Sequence, residues 1–341
     1  MTVPRKIKIA VIGAGRIGKL HAQHLATRIT GVELAVIADI NQAAAQATAA
    51  QFGEPVAMAD YRELLADKTI AAVVVGSPTD THAEITQQAA AAGKHVFCEK
   101  PIDFDLGRID QTLAAVEKAG IKFQVGFNRR FDRNFRKVRE MVAGGQIGAP
   151  HILRITSRDP EAPPIEYVRV SGGIFLDMTI HDFDMARYVM GDEVTEIYAA
   201  GAVLVDPAIG QAGDLDTVVI TLRFANGGIG TIDNSRRAVY GYDQRVEVFG
   251  EGGMVTVSNE TPDRHTYGNA AGIHSALPLY FFLERYTDSY IAELQAFVDC
   301  IRNDTPPPVT GRDGRIPVVM GLAAQKSYRE NRPIRLSEIT A

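Results

Sequence analysis

Two hydrophobic periodicities divide this chain. Up to about residue 126, short runs that are apolar at nearly every position alternate with longer mixed stretches. Residues 7–12, 33–38, 71–75, 95–98 and 122–125 have the β-branched, two-sided apolar character of strands buried on both faces. Residues 17–29 read as a helix directly after the first of them. Beyond Phe127 the pattern changes. A helical stretch from Arg133 to Ala143 ends at Gly144-Gly145, and strand candidates then follow without helices between them, at 151–158, 194–203, 216–224, 228–234, 244–249 and 254–258. Val218, Ile220 and Leu222 alternate with Val219 and Thr221, so one face of that sheet is apolar by design of the period. Phe224-Ala225-Asn226-Gly227-Gly228 is a hairpin signal, because Asn-Gly tolerates positive φ in a tight turn.

These periods predict an α/β Rossmann domain over residues 1–126, followed by an α+β domain over 127–341 with a large, mostly antiparallel open sheet. Helices in the second half are few, at about 180–190, 290–302 and 315–331, enough to cover one sheet face. The other face must meet solvent or another subunit, which predicts oligomerisation through it. Thr305-Pro306-Pro307-Pro308 reads as a stiff connector.

Composition narrows the classes. The 341 residues are 46% hydrophobic and 23% charged, with a formal net charge of −5, an ordinary globular balance that argues against a nucleic-acid partner. The basic cluster Arg129-Arg130, Arg133, Arg136, Lys137 and Arg139 reads as a solvated helix face with arginines beside a site. Cys98 and Cys300 offer no disulfide framework, and no apolar run is long enough to span a membrane. A strand begins by Ile7 and leaves no room for a signal peptide. The expectation is a soluble, cytoplasmic protein.

Two stretches carry chemistry. Gly13-Ala14-Gly15-Arg16-Ile17-Gly18 follows a buried strand and opens a helix. Gly13 suits the tight turn, Gly15 lets backbone approach a pyrophosphate, and Gly18 lets helix and strand pack closely; Arg16 and Ile17 lie in the same turn. The helix N-terminus offers N–H groups and a positive dipole end to phosphates. Asp39 ends the next strand about 20 residues beyond the last glycine, where an acid accepts hydrogen bonds from the adenosine ribose. Ile40 and Asn41 supply no arginine for a 2′-phosphate, so the expected cofactor is NAD rather than NADP. Ligands of doubly wound sheets bind beyond the carboxyl ends of the strands, where Ser77, Pro78, Thr79, Glu99 and Lys100 fall. Thr81-His82-Ala83-Glu84 has the spacing of a capping box, and His82 reads either as a first-turn residue of that helix or as a cofactor-side group.

The second stretch is Gly173-Ile174-Phe175-Leu176-Asp177-Met178-Thr179-Ile180-His181-Asp182. Asp177 and His181 are spaced to share one helix face. An imidazole suits removal of a hydroxyl proton, and a carboxylate fixes its tautomer and stabilises its charged form. His181, Asp182 and Asp184 could be read as metal ligands, but the two carboxylates face away from His181 on a helix, and no metal is expected. Lys100, at a strand end before Pro101, could hydrogen-bond a substrate hydroxyl and relay a proton with His181; a cis bond before Pro101 is possible.

The set Gly13-x-Gly15-x-x-Gly18, Glu99-Lys100-Pro101 and Asp177-x-x-x-His181 resembles the glucose–fructose oxidoreductase and inositol dehydrogenase superfamily. Residues 126–132, 172–184 and 284–290 look most like bacterial inositol 2-dehydrogenases. The resemblance spans nearly the whole chain. It implies a Lys–Asp–His site on Lys100, Asp177 and His181, tetramers built by sheet-face contacts, and a pocket lined by Asn128, Asp159 and Tyr240. The expected activity is NAD-dependent oxidation of a ring hydroxyl of myo- or scyllo-inositol to a ketone. The alternatives are an aldopyranose dehydrogenase acting on glucose-like sugars and a non-catalytic NAD- or sugar-sensing regulator on the same fold.

Overall fold

The computed structural model describes residues 6–340, which divide into two compact units. The first takes residues up to Asn128 together with Asp288–Ile316; the second takes Arg129–Thr287 and Pro317–Thr340.

In the first unit strands and helices alternate: β1 (Ile7–Ile12), α1 (Arg16–Thr27), β2 (Val32–Ala38), α2 (Gln42–Ala49), β3 (Val56–Met58), α3 (Tyr61–Ala66), β4 (Ala72–Val75), α4 (Thr79–Ala91), β5 (His95–Glu99), α5 (Leu106–Ala119) and β6 (Phe123–Gly126). The strands form one all-parallel sheet in the order β3-β2-β1-β4-β5-β6. Strand order reverses between β1 and β4, and the crevice there is where such sheets bind ligands. Both strands are fully buried along most of their length, which is why their sequences are apolar without alternation.

After a 3₁₀ turn at Asn128–Phe131, the chain continues through α6 (Arg133–Ala143), β7 (Pro150–Arg158), α7 (Ile165–Val168), α8 (Ile174–Asp177), α9 (Thr179–Met190), β8 (Val194–Ala202), α10 (Pro207–Gln211), β9 (Thr217–Phe224), β10 (Ile229–Ser235), β11 (Asp243–Gly250) and β12 (Gly253–Val257). The hairpin β13 (Thr266–Asn269) and β14 (Gly272–Ser275), then α11 (Phe282–Arg285), α12 (Thr287–Asn303), α13 (Gly311–Glu330) and β15 (Ile334–Arg335) complete it. Seven strands form one sheet in the order β12-β11-β7-β10-β9-β8-β15, antiparallel except at the central β10–β7 pair. Along β9, Val218, Ile220 and Leu222 are buried while Val219 is 53% exposed, as the period requires.

The C-terminal helices depart from the expectation that everything after residue 127 forms one domain. Leu294, Phe297 and Val298 of α12 sit in the same hydrophobic cluster as Ile9, Val11, Ile37, Val74 and Phe97. Their apolar stripe completes the parallel sheet's core, and residues 288–316 therefore belong to the first unit. Among the described residues no helix is long and apolar enough to cross a membrane. Cys98 and Cys300 are free and buried, and burial pushes the Cys98 thiol up to about 12, an unreactive setting.

Candidate functional site

The glycine turn after β1 is held by steric necessity. Gly13 has φ +102°, and a Cβ on it would lie 2.6 Å from the Ser77 backbone nitrogen; a Cβ on Gly18 would fall on the Gly13 carbonyl oxygen. The loops after β1 and β4 thus touch, and α1 packs onto its strand. Gly15 differs, since it is exposed and, its chain neighbours aside, no atom of the described residues lies within 4 Å of where a Cβ would stand. No side chain caps the N-terminus of α1, whose first residues are Arg16 and Ile17. Asp39, just past β2, accepts the Ala14 N–H on Oδ2 at 2.7 Å and the Asn41 N–H on Oδ1 at 2.8 Å, fixing a carboxylate beside the glycine turn. Open space over Gly15, an uncapped helix end and an acid at the β2 edge suit a dinucleotide's pyrophosphate and ribose.

The loops after β4 and β5 are tied together by His82. Its Nδ1 lies 2.8 Å from the Pro101 carbonyl oxygen and its Nε2 2.8 Å from that of Ser77. The Lys100–Pro101 peptide is cis. Pro78 and Thr79 begin α4, which corrects the expectation of a capping box at Thr81–Glu84. The helix starts three residues earlier, with Pro78 as N-cap, so Thr81 sits inside the first turn. Its hydroxyl donates to the Pro78 carbonyl at 2.7 Å and meets Ser77 Oγ at 2.6 Å. Glu99 ends β5, its carboxylate 2.7 Å from His21 Nε2, and Lys100 follows it, half-buried.

In the second unit, Asp177 and His181 do not share one continuous helix as the spacing suggests. Asp177 ends α8 and His181 lies in the first turn of α9, with Met178 at the junction (φ −94°, ψ −60°). The His181 N–H reaches back only to the Met178 carbonyl at 3.3 Å, a tightened turn at the start of α9. The Asp177 carboxylate is held from two sides. Tyr167 Oη donates to Oδ1 at 2.7 Å and Arg236 Nη1 to Oδ2 at 3.2 Å. Arg236 is 1% exposed and also donates to Asp214 at 3.4 Å; Asp214 in turn accepts the Ile174 N–H at the start of α8 at 2.9 Å. One buried guanidinium therefore fixes both ends of α8.

Asp159, on the loop after β7, joins the same electrostatic neighbourhood. Burial pushes its carboxyl up to about 7, against the opposing pull of Arg236 and with a further push from Asp177. Tyr240 is 36% exposed; its hydroxyl donates to Asp243 at 2.6 Å and accepts from Arg158 at 3.1 Å. Asn128 is buried at the start of the 3₁₀ turn.

The basic cluster is a second correction, because its first two arginines are not solvated. Arg129 donates to Asp182 at 2.6 Å, and Arg130 pairs with Asp184 through two nitrogens, at 2.6 and 2.9 Å. Asp182 also accepts from Asn234 at 2.8 Å, and Asn234 accepts from Thr179 at 2.6 Å. This network ties both acids of α9 to the arginines of the 3₁₀ turn at Asn128–Phe131. Burial raises the Asp182 carboxyl, and Arg129 opposes that rise. Sequence reasoning missed Arg236, Asn234, Asp214 and Tyr167. One usable signal was there: Arg129-Arg130 and Asp182-x-Asp184 offer two charges of each sign, a matched set that invites pairing.

The chain is similar to known proteins over nearly its whole length. Residues 7–127 match the oxidoreductase family with an NAD-binding Rossmann fold, and residues 135–256 match the GFO/IDH/MocA C-terminal domain. The chain is 50% identical to the myo-inositol 2-dehydrogenase of Thermotoga maritima, over 98% of this chain and 99% of that protein. The solved myo-inositol dehydrogenase of Corynebacterium glutamicum superposes with a TM-score of 0.92 at 39% identity, covering 98% of this chain and 100% of that one. The scyllo-inositol dehydrogenase of Lactobacillus casei, solved with bound NAD(H) and scyllo-inositol, does so with a TM-score of 0.92 at 31% identity, covering 98% and 100%. The chain belongs to the GFO/IDH/MocA family and is an NAD-dependent oxidoreductase.

Proposed function

We propose that this enzyme oxidises one ring hydroxyl of a cyclic polyol to a ketone, with myo-inositol as first substrate and scyllo-inositol as second. The observation that carries this reading is the Asp177–His181 junction, where a carboxylate held by Tyr167 and Arg236 at the end of α8 precedes an imidazole at the start of α9. Likeness to a myo-inositol enzyme at 50% identity supports the choice of substrate.

The chemistry follows from the residue types. NAD, held by Gly13, Gly15, Arg16, Ile17, Gly18 and Asp39 with Ser77, Pro78, Thr79, His82, Glu99 and Lys100 beside it, supplies the acceptor for the hydride that leaves carbon. His181 takes the hydroxyl proton as the carbonyl forms. Asp177 orients that imidazole and stabilises its charged form. The Lys100 ammonium donates a hydrogen bond to the hydroxyl oxygen and offsets the negative charge that builds there. Asn128, Asp159 and Tyr240 contribute to the polyol pocket. Val219, Ile229, Phe249 and Met254, exposed on the second unit's sheet at 53, 43, 45 and 56%, suit burial against further copies in a homotetramer.

The test is NADH formation across myo-inositol, scyllo-inositol, other inositol isomers and both enantiomers of glucose. Turnover on an inositol well above the sugars supports the reading. Preference for a glucose moves the enzyme to the aldose class, and silence with tight NAD binding indicates a sensor. His181→Ala should lower turnover by about 10²–10⁴-fold with NAD affinity retained; near-normal turnover in that variant would remove the general-base role.

A further inference from the structure

One group of buried ionisable side chains joins Glu99, from the cofactor side, to two residues which that chemistry does not use. His21 on α1, Glu99 at the end of β5 and Glu293 on α12 place a ring nitrogen and two carboxylate oxygens within 4.8 Å of one another. His21 and Glu293 are fully buried and Glu99 is 8% exposed. The surroundings are apolar and aromatic: the His21 ring meets Phe97 and Tyr290 edge-on, with centroids 5.2 and 5.9 Å away. Neither oxygen of Glu293 has a hydrogen-bond partner among the described residues.

Two ionised carboxylates so close together in such a setting are strongly disfavoured. Something positive must sit among them, a metal ion or a proton. The distances favour the proton. Ligand atoms about 2.0–2.2 Å from a common zinc ion stand more than 3 Å apart in a tetrahedral site, whereas His21 Nε2 and Glu99 Oε1 are 2.7 Å apart, a hydrogen-bond length. Glu293 is then left as the group that takes a proton. Burial raises its carboxyl well above the usual range, and the Glu99 charge adds to that rise.

The position of Glu99 gives the cluster a purpose. Its carboxylate is enclosed by His21 on one side and by β6 on another, where a Cβ on Gly126 would lie 3.1 Å from it. The next residue is Lys100, and the carbonyl of Pro101 is already engaged with His82. Gln124 of β6 donates to the Glu293 backbone carbonyl at 2.9 Å, fixing α12 against the sheet. We propose that His21, Glu99 and Glu293 form one buried proton-sharing unit that locks the Glu99–Pro101 turn and so sets where the Lys100 ammonium sits. All three are positioning residues. This inference rests on the reading of Lys100 as the group that polarises the substrate oxygen.

The titratable groups beside the Glu293 carboxyl are Glu99 from β5 and His21 from α1; Tyr290, on the same helix, packs on the His21 ring, and β6 contributes Gln124, which does not titrate, at the Glu293 backbone carbonyl. His24, also on α1, is kept neutral by burial, which lowers it to about 4. An acid whose proton is held more tightly in the folded than in the unfolded chain makes the fold less stable as pH rises through the interval between the two values.

The experiment compares Glu293→Ala, Glu293→Gln and Lys100→Met in the full chain, with steady-state kinetics, NAD binding and melting from pH 5 to 8. The expectation is that Glu293→Ala lowers kcat by about ten- to a hundredfold, the scale of a small misplacement, with NAD affinity unmoved. Glu293→Gln, which keeps the shape without the charge, restores most of that loss, and its melting temperature relative to wild type rises with pH. The proposal is overturned if Glu293→Gln is as impaired as Glu293→Ala, if Glu293→Ala lowers only the melting temperature, or if the purified protein carries one equivalent of zinc per chain that Glu293→Gln loses. Lys100→Met separates the two readings. If it keeps wild-type turnover, the Lys100 role fails, while the pH slope of the Glu293→Gln melt still reports on the proton-sharing unit.

Discussion

Replacing Arg236 by Met tests the second unit's site at its least exposed point. The side chain is 1% exposed and lies between two carboxylates, Asp177 at 3.2 Å and Asp214 at 3.4 Å, whose side chains are 13 and 12% exposed. Methionine fills similar volume but leaves both acids without their cation. Removing one partner of a buried pair costs about 3–5 kcal/mol, because the remaining charge stays desolvated. Both bonds here are longer than the about 2.7–2.9 Å of strong charge-assisted pairs. Asp177 also keeps Tyr167, and Asp214 keeps the Ile174 N–H. The loss therefore belongs at the lower end of that range, about 3 kcal/mol.

Urea unfolding of wild type and Arg236→Met at neutral pH measures this directly, and kinetics on the best polyol reads the consequence for Asp177. The expected result is a lowered midpoint with an unchanged slope, together with a fall in kcat larger than any change in NAD affinity. Arg236→Lys should recover part of the stability, but one ammonium cannot reach two carboxylates in the fork geometry of a guanidinium. A midpoint within about 0.5 kcal/mol of wild type, the size of an ordinary surface substitution, would refute the reasoning. It would mean that water or a shifted side chain satisfies Asp177 and Asp214 without Arg236.

Two further predictions concern other parts of the chain. Phe297→Ala, in the helix that completes the parallel sheet's core, should destabilise the protein by about 3–5 kcal/mol; unfolding that starts from an unchanged midpoint would detach α12 from that core. Asp159→Asn should change how stability depends on pH. With its carboxyl raised to about 7 in the fold and near its ordinary value when unfolded, the native protein binds the extra proton between those values. Wild type therefore loses stability as pH rises from about 4 to about 7, and levels off above. Asp159→Asn lacks that loss, so its melting temperature relative to wild type should climb over the same interval, and a constant difference would contradict the assignment.

What could be read from the chain divides by the range of the forces involved. Strand alternation in β9 and the uninterrupted apolar runs of β1 and β4 are local consequences of which faces are buried, and they appear in the pattern directly. The glycine turn is local too, because its steric demands fall within a few residues of Gly13 and Gly18. The short α2 was missed although Asn41 caps it by accepting the Ala44 N–H; an alanine-rich stretch with little apolar periodicity carries a weak pattern whatever its caps. The hairpin of β13 and β14 is exposed along nearly its whole length, so no buried face stamps a period on it.

The candidate site can be chosen from residue types, but its geometry cannot be read from the chain. His181 and Asp177 could be chosen by chemistry and spacing, but a helix break at Met178 leaves the spacing intact while changing how the two side chains are presented. Arg236 has no local mark at all. Its partners Asp177 and Asp214 lie 59 and 22 positions away, and an arginine near the end of a strand looks the same from the sequence whether it faces water or a buried carboxylate. The same holds for His21, Glu99 and Glu293, which are brought together only when α1, β5 and α12 close around one core. Pairing of buried charges is enforced by desolvation, a cost that exists only once the chain has folded. For that reason Arg236, which holds Asp177 and Asp214, and the buried group of His21, Glu99 and Glu293 are what a linear reading passes over.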